Sequence, residues 1–251
     1  MSLSAITFDI WDTIIIDDSD EAKRAELGMR SKAEERRHLL WTALNRGTPI
    51  DRAKVEIAFD TQEAIYRKTW LEKQVTLKVR DRLEIMLEGL ERRLPTTVLE
   101  ELVDTYESME LKVSPDLVEG AGELIAEFAE HYKLCVISDT IYTPGHRLRE
   151  LLAKLGVADY FSGFVFSDEI GRSKPHASCF NDARRQLGID FSDMLHIGDR
   201  DALDMAGARA VGMRAVLFTG SRDERSSATT KAEGVAGSYR ELAEIIRSLE
   251  S

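Results

Sequence analysis

A chain of 251 residues, 43% of them hydrophobic, can bury the core of one large or two modest domains, which excludes disorder as its resting state. Its formal net charge of -11 excludes a long-range field that would draw nucleic acid or an anionic membrane, so an anionic ligand has to be captured by local cations, dipoles or a metal. Two cysteines, Cys135 in an apolar run and Cys179 in a predicted helix, are too few for a disulfide framework and fit a reducing cytoplasm.

Residues 3–10 are apolar and β-branched and run directly into Trp11-Asp12-Thr13, a pattern that predicts a buried strand ending in a polar loop. The stretch 1–16 carries Asp9 and Asp12 and no basic leader, so no secretory signal is expected, and no apolar run is long enough to span a bilayer. A soluble, cytoplasmic protein follows from that reading. From about residue 20 the pattern changes: 21–45, 52–73, 77–94 and 98–111 have helical spacing, broken at Gly47-Thr48-Pro49 and at Pro95. Consecutive helices without a strand predict an all-helical domain over 18–112, inserted into an α/β domain built from 1–17 and 113–251. On these helices Arg30, Arg36, Arg37, Arg67 and Arg80 read as solvated surface and Trp41 and Trp70 as core packing.

After Ser114-Pro115 strands are predicted over 133–138, 164–167, 194–198 and 215–219, and helices over 144–155, 176–187, 202–211 and 239–248. Such alternation predicts a doubly wound parallel sheet with helices on both faces. Gly120 and Gly122 precede an apolar helix without a nucleotide-binding pattern, and 221–237, rich in Ser, Thr, Ala and charge, reads as a surface loop. There are no internal repeats, and no motif specifies an oligomeric state.

The predicted strand ends carry similar polar groups: Phe8-Asp9-Ile10-Trp11-Asp12-Thr13, Ile137-Ser138-Asp139-Thr140, and His196-Ile197-Gly198-Asp199 followed by Asp204. Ser173-Lys174-Pro175 sits in a loop before a helix. Parallel strands bring their carboxyl ends to one edge, so these distant groups can converge. Each alone reads as a helix cap or turn; their joint order does not. In that order they resemble the signature motifs of the haloacid dehalogenase (HAD) superfamily, over about 3–16 and 115–218, and the helical insertion resembles a cap of the dehalogenase and phosphoglycolate phosphatase branches.

The resemblance implies that Asp9 attacks a phosphoryl group as nucleophile, that Lys174 offsets its charge and binds phosphoryl oxygens, and that the Ser138 hydroxyl and the Asp139 backbone N–H bind the phosphate. It implies a magnesium ion held by Asp9, Asp199 and the backbone carbonyl of Trp11, with Asp204 bound through water or supporting from behind. The substrate would be a small phosphorylated molecule. The physical need is plain, because a carboxylate attacking an anionic group is repelled until cations neutralise the site. Thr13 is read as a local positioning hydrogen bond.

One position departs from the pattern. Most phosphatases of this superfamily carry a second aspartate two residues after the nucleophile, as proton donor and base; here Trp11 stands there, and indole exchanges no proton at neutral pH. Asp12, one residue on, points elsewhere unless the loop rearranges. An aromatic residue there also resembles the 2-haloacid dehalogenases, in which the aspartate attacks carbon without metal. Those, however, resemble Ser-Ser-Asn-x-x-Asp in the last motif, whereas this chain reads Asp199-Arg200-Asp201-Ala202-Leu203-Asp204. Acids crowded beside Asp9 raise one another's pKa unless a cation joins them, which favours the metal-dependent phosphatase. A catalytically silent binding domain is the third reading. The histidines, His38, His131, His146, His176 and His196, have no zinc spacing; His196 reads as packed, and His176 as a residue at a helix start that can line the pocket.

Overall fold

The computed structural model describes residues 3–222 and 228–250. A six-stranded parallel sheet is built from β1 (Ala5–Phe8), β2 (Lys133–Ser138), β3 (Phe161–Phe166), β4 (Met194–Gly198), β5 (Arg214–Phe218) and β6 (Gly234–Ala236), in the order β3-β2-β1-β4-β5-β6. Successive side chains of a strand face opposite ways, and the sequence obeys this on both faces. Ile6, Phe8, Leu134, Val136, Leu195, Ile197, Val216 and Phe218 pack into one buried cluster with the helices α7 (Ala121–Ala129), α8 (Gly145–Lys154) and α12 (Tyr239–Glu250). Ala5, Cys135, Ile137, Met194, Ala215 and Leu217 pack into the other, with α10 (Ala177–Leu187) and α11 (Ala206–Ala210). Cys135 and Cys179 are free and buried there.

Between β1 and α7 the described residues form helices and no strand of the sheet: α1 (Ser19–Glu26), α2 (Lys32–Asn45), α3 (Arg52–Lys73), α4 (Val79–Gly89), α5 (Thr96–Glu107) and α6 (Met109–Lys112). They have a core of their own, centred on Leu40, Phe59, Leu83, Leu102 and Tyr106. The stretch 21–45, expected as one helix, is two. Gly28 turns left-handed at φ 68°, and Ser31 restarts the chain with a capping box in which it accepts from the Glu34 N–H while Glu34 accepts from its own. The stretch 98–111 likewise breaks at Ser108.

Two further expectations change. Residues 202–211 begin as a wide π turn, Asp201–Met205, before α11, and the strand expected over 164–167 starts at Phe161 and hands Ser167 to α9 (Ser167–Ile170). The loop expected over 221–237 contains β6, while 223–227 lie outside the described residues. A three-residue strand is too short to show alternation, and it forms because β5 offers it a ladder.

Among the described residues no helix is long and apolar enough to cross a membrane.

Candidate active site

β1 lies between β2 and β4, the place where strand order reverses and the carboxyl ends leave a crevice. Asp9 follows β1, Ser138 and Asp139 end β2, and Asp199 follows β4. Lys174 arrives from the loop before α10. That loop is tied to the helical layer by the Ser173 N–H, which donates to the Gln74 carbonyl at 3.1 Å, and by the Ser173 hydroxyl, which donates to the Trp70 carbonyl at 3.3 Å. On its other side Gly207 leaves room, since a Cβ there would lie 2.4 Å from the Phe180 ring and 3.1 Å from the Pro175 Cα.

The Lys174 ammonium is buried and fully used. It donates to Asp9 Oδ1 at 2.6 Å, to Asp204 Oδ1 at 2.6 Å and to the Ile137 carbonyl at 3.0 Å. Burial alone would favour its neutral form, but the carboxylates of Asp204, Asp9 and Asp139 hold its pKa above the ordinary lysine range.

Asp204 is equally saturated. Its Oδ1 also meets His196 Nε2 at 3.0 Å, and its Oδ2 accepts from the Arg200 N–H at 3.0 Å. Burial pushes this carboxyl up, but Lys174 and His196 outweigh it and keep the group ionised. His196 in turn meets the Thr7 hydroxyl through Nδ1 at 2.8 Å. The histidine is packed, edge-on to Phe180, as expected, but it is also wired to the site, which its sequence context does not show. Gly198 makes the arrangement possible, because a Cβ there would sit 2.3 Å from Asp204 Cγ.

Asp199 has the opposite character. Its Oδ2 is buried without a hydrogen-bond partner among the described residues; Arg200 Nε lies 3.5 Å away and Arg222 Nη1 3.7 Å. Burial, then the charges of Asp204 and Asp9, push its carboxyl up to about 8, and burial also raises that of Asp9 against the pull of Lys174. Carboxylate oxygens of Asp9, Asp199 and Asp204 lie within 4.8 Å of one another. An all-oxygen set with an orphaned buried acid fits a hard divalent cation such as magnesium.

The other expected residues divide. Trp11 is half-buried and lines the cavity together with Asp9. Asp139 lines it too, but both its oxygens are occupied: Oδ1 accepts from the Lys174 N–H at 2.9 Å and Oδ2 from Trp70 Nε1 at 2.8 Å, and burial pushes its carboxyl up to about 6. Ser138 is buried with its hydroxyl 3.4 Å from the Asp139 carbonyl, outside the cavity lining. Thr13 is a correction: its buried hydroxyl has no partner among the described residues, and its bonds are made by the backbone, the N–H donating to the Ile10 carbonyl at 3.3 Å and the carbonyl accepting from the Tyr239 hydroxyl at 2.8 Å. Asp12, left-handed at φ 55°, accepts from the Asp17 N–H at 3.1 Å and does not line the cavity. His176 is also off the lining and caps α10 by accepting from the Ser178 N–H.

The cavity, about 170 Å³, is lined by the carboxylates and Lys174 from the sheet and by Lys32, Arg36 and Glu110 from the helical layer, with Tyr142 beside them. Here one expectation fails: Arg36 is 6% exposed rather than solvated. Trp70 packs as expected and also donates into the site. No sequence motif singles out Lys32 or Glu110; Lys32 and Arg36 stand four residues apart, which puts both on one face of a helix. Arg30, Arg37 and Arg80 pair with acids near the surface, and Arg67 is exposed, as expected.

Comparison with known proteins gives a consistent picture. The sequence description of the haloacid dehalogenase-like hydrolases matches residues 3–212. The chain is 26% identical over 219 residues to the glyceraldehyde 3-phosphate phosphatase of Pyrococcus abyssi, covering 86% of this chain and 81% of that protein. It is 33% identical over 135 residues to the ribulose-1,5-bisphosphate 5-phosphatase of Halopiger xanaduensis, spanning only about half of that relative's length, 54%. Among solved structures, the magnesium-bound HAD hydrolase YfnB of Bacillus subtilis superimposes with a TM-score of 0.64 at 17% identity over 98% of this chain and 99% of that one. A 2-haloacid dehalogenase of Pseudomonas syringae does so with a TM-score of 0.68 at 19% identity, again over 98% and 99%. Likeness at that identity speaks to the fold.

Proposed function

The chain belongs to the haloacid dehalogenase-like hydrolases, and we propose that within this family it is a magnesium-dependent phosphatase that hydrolyses a small phosphorylated metabolite through an aspartyl-phosphate on Asp9. The observation that carries this reading is the buried Asp199 Oδ2, which has no hydrogen bond among the described residues and lies beside Asp9. Lys174 bonds Asp9 and Asp204 but not Asp199, whose Oδ2 has, among the described residues, only the distant Arg200 and Arg222 for company, so the three clustered acids favour a divalent cation over a metal-independent attack on carbon. Phosphatase names among the relatives support the same class.

In this reading Asp9, Asp199 and the Trp11 carbonyl hold the ion, and Asp204, its oxygens already committed, supports them from behind. Bound magnesium supplies charge neutralisation and orientation of the phosphoryl group. Lys174 occupies Asp9 Oδ1, which leaves Oδ2 to attack phosphorus as the ester oxygen departs with its electron pair. Lys174, which would have to release the Ile137 carbonyl to free a donor, the Asp139 N–H and a reoriented Ser138 hydroxyl bind the phosphoryl oxygens. No acid stands at position 11, so the departing oxygen takes its proton from water. A second water then attacks phosphorus, releases phosphate and restores the Asp9 carboxylate. Residues 18–112 act as a cap over a core made of 1–17 and 113–251, excluding water during attack and admitting it afterwards, so that cap motion limits turnover.

The test is phosphate release from a panel of esters with and without magnesium. Magnesium-dependent release is expected; metal-independent halide release from 2-haloacids, the reading that Trp11 favours, would overturn it. A silent binding domain would turn over none of them.

A further inference from the structure

We propose that the cavity wall built from Lys32, Arg36 and Glu110 of the helical layer is a hydroxyl-reading subsite, which favours small phosphate esters whose alcohol part is uncharged and hydroxylated and disfavours esters carrying a second anionic group. The inference rests on the phosphatase reading above and adds a substrate class to it.

The wall is built from buried charges. The Arg36 guanidinium lies 3.5 Å over the Tyr142 ring, its Nη2 is 3.5 Å from Glu110 Oε1, and its Nε is buried with no partner among the described residues. Glu110 accepts from the Thr143 hydroxyl at 2.6 Å, and Lys32 Nζ is 3.5 Å from Glu110 and 2.7 Å from Asp20. Lys32, Arg36, Glu110 and Asp20 are each no more than 6% exposed. Long contacts beside an orphaned Nε describe a network with room for one more polar partner.

Its charge balance says what that partner is. Lys32 and Arg36 are matched by the buried Asp20 and Glu110, and Asp18, 3.1 Å from Lys32, adds a third carboxylate at the mouth. A carboxylate or second phosphate would meet no uncompensated cation and would be repelled by Glu110 and Asp18. A hydroxyl accepts from Arg36 or Lys32 and donates to Glu110, satisfying both signs at once. The volume sets the length: about 170 Å³ is well below the roughly 300–1,000 Å³ of pockets for drug-sized ligands.

The experiment compares kcat/KM of the magnesium-loaded protein for 2-hydroxyethyl phosphate and phosphoglycolate, which differ in whether the far carbon bears a hydroxyl or is a carboxylate, with p-nitrophenyl phosphate alongside. The hydroxylated ester is expected to lead phosphoglycolate by about tenfold or more. Glu110→Gln, which uncovers the two cations, should reverse the trend, lowering the first and raising the second. Arg36→Gln should move the ratio the other way and serves alone if the Glu110 variant does not fold. Preference for phosphoglycolate, or variants that lower both esters in equal proportion, would overturn the subsite while leaving the phosphatase standing. Failure of all three esters to turn over would remove the phosphatase reading and this one with it.

Discussion

An indole where a proton carrier is expected makes the leaving group decisive. With Trp11 in place, p-nitrophenyl phosphate, whose phenolate leaves without help, should show a higher kcat at saturation than an alkyl phosphate, even where the small cavity gives it the poorer KM. Trp11→Asp should narrow that gap by raising the alkyl rate, by up to about 10²–10⁴-fold; phosphate release on the two esters measures it. Asp199 makes a second prediction. In metal-free protein its carboxyl ionises near 8 against an ordinary 3.8, so the folded chain holds that proton more tightly between those values. This contribution to stability is therefore present below about pH 4 and lost as pH rises toward 8. Asp199→Asn should raise the melting temperature of metal-free protein at pH 8, by roughly 2–4 °C per kcal/mol relieved, and should abolish stabilisation by magnesium. At this scale the acids and Lys174 were legible because they stand at strand ends, in order. Arg36 and Glu110 were not, since their pairing spans 74 residues and a charged helix face looks solvated until its partner is placed.

Local packing imposes its own requirements. Gly198 ends β4 against the Asp204 carboxylate, and a methyl group there would displace the acid that holds both Lys174 and His196. Gly198→Ala is expected to cost about 1–3 kcal/mol by overpacking and to lower kcat, readable by denaturant unfolding and by phosphate release. The elements themselves were legible wherever they are long and periodic: 52–73, 133–138 and 194–198 coincide with α3, β2 and β4. They were not legible where one residue decides, as at Gly28, or where a partner strand does, as in β6.

The helical layer is fastened to the core over a short loop. Tyr66 donates to the Thr140 carbonyl at 3.0 Å, Trp70 to Asp139, and Arg82 to the Ile141 carbonyl at 2.7 Å with its guanidinium between the Tyr66 and Tyr142 rings. Magnesium with beryllofluoride is therefore expected to slow amide hydrogen exchange in 66–74 and 139–143 together; protection of one stretch without the other would show that the two do not close as a unit. The parallel sheet and the helical insertion were legible from the alternation of strand and helix; these fastenings were not, being side-chain bonds between segments about 70 residues apart.

The insertion also leaves and re-enters the sheet through one narrow neck. Ile15 and Leu117 form an antiparallel bridge, the Ile16 N–H donates to the Asp116 carbonyl at 2.9 Å and the Val118 N–H to the Ile14 carbonyl at 2.9 Å. Because the two crossings run side by side, everything between them can be exchanged for an unrelated segment without altering the spacing of the strands. On the division of labour proposed above, recombination at this buckle would transplant selectivity while the chemistry stays behind, a short route to new substrates.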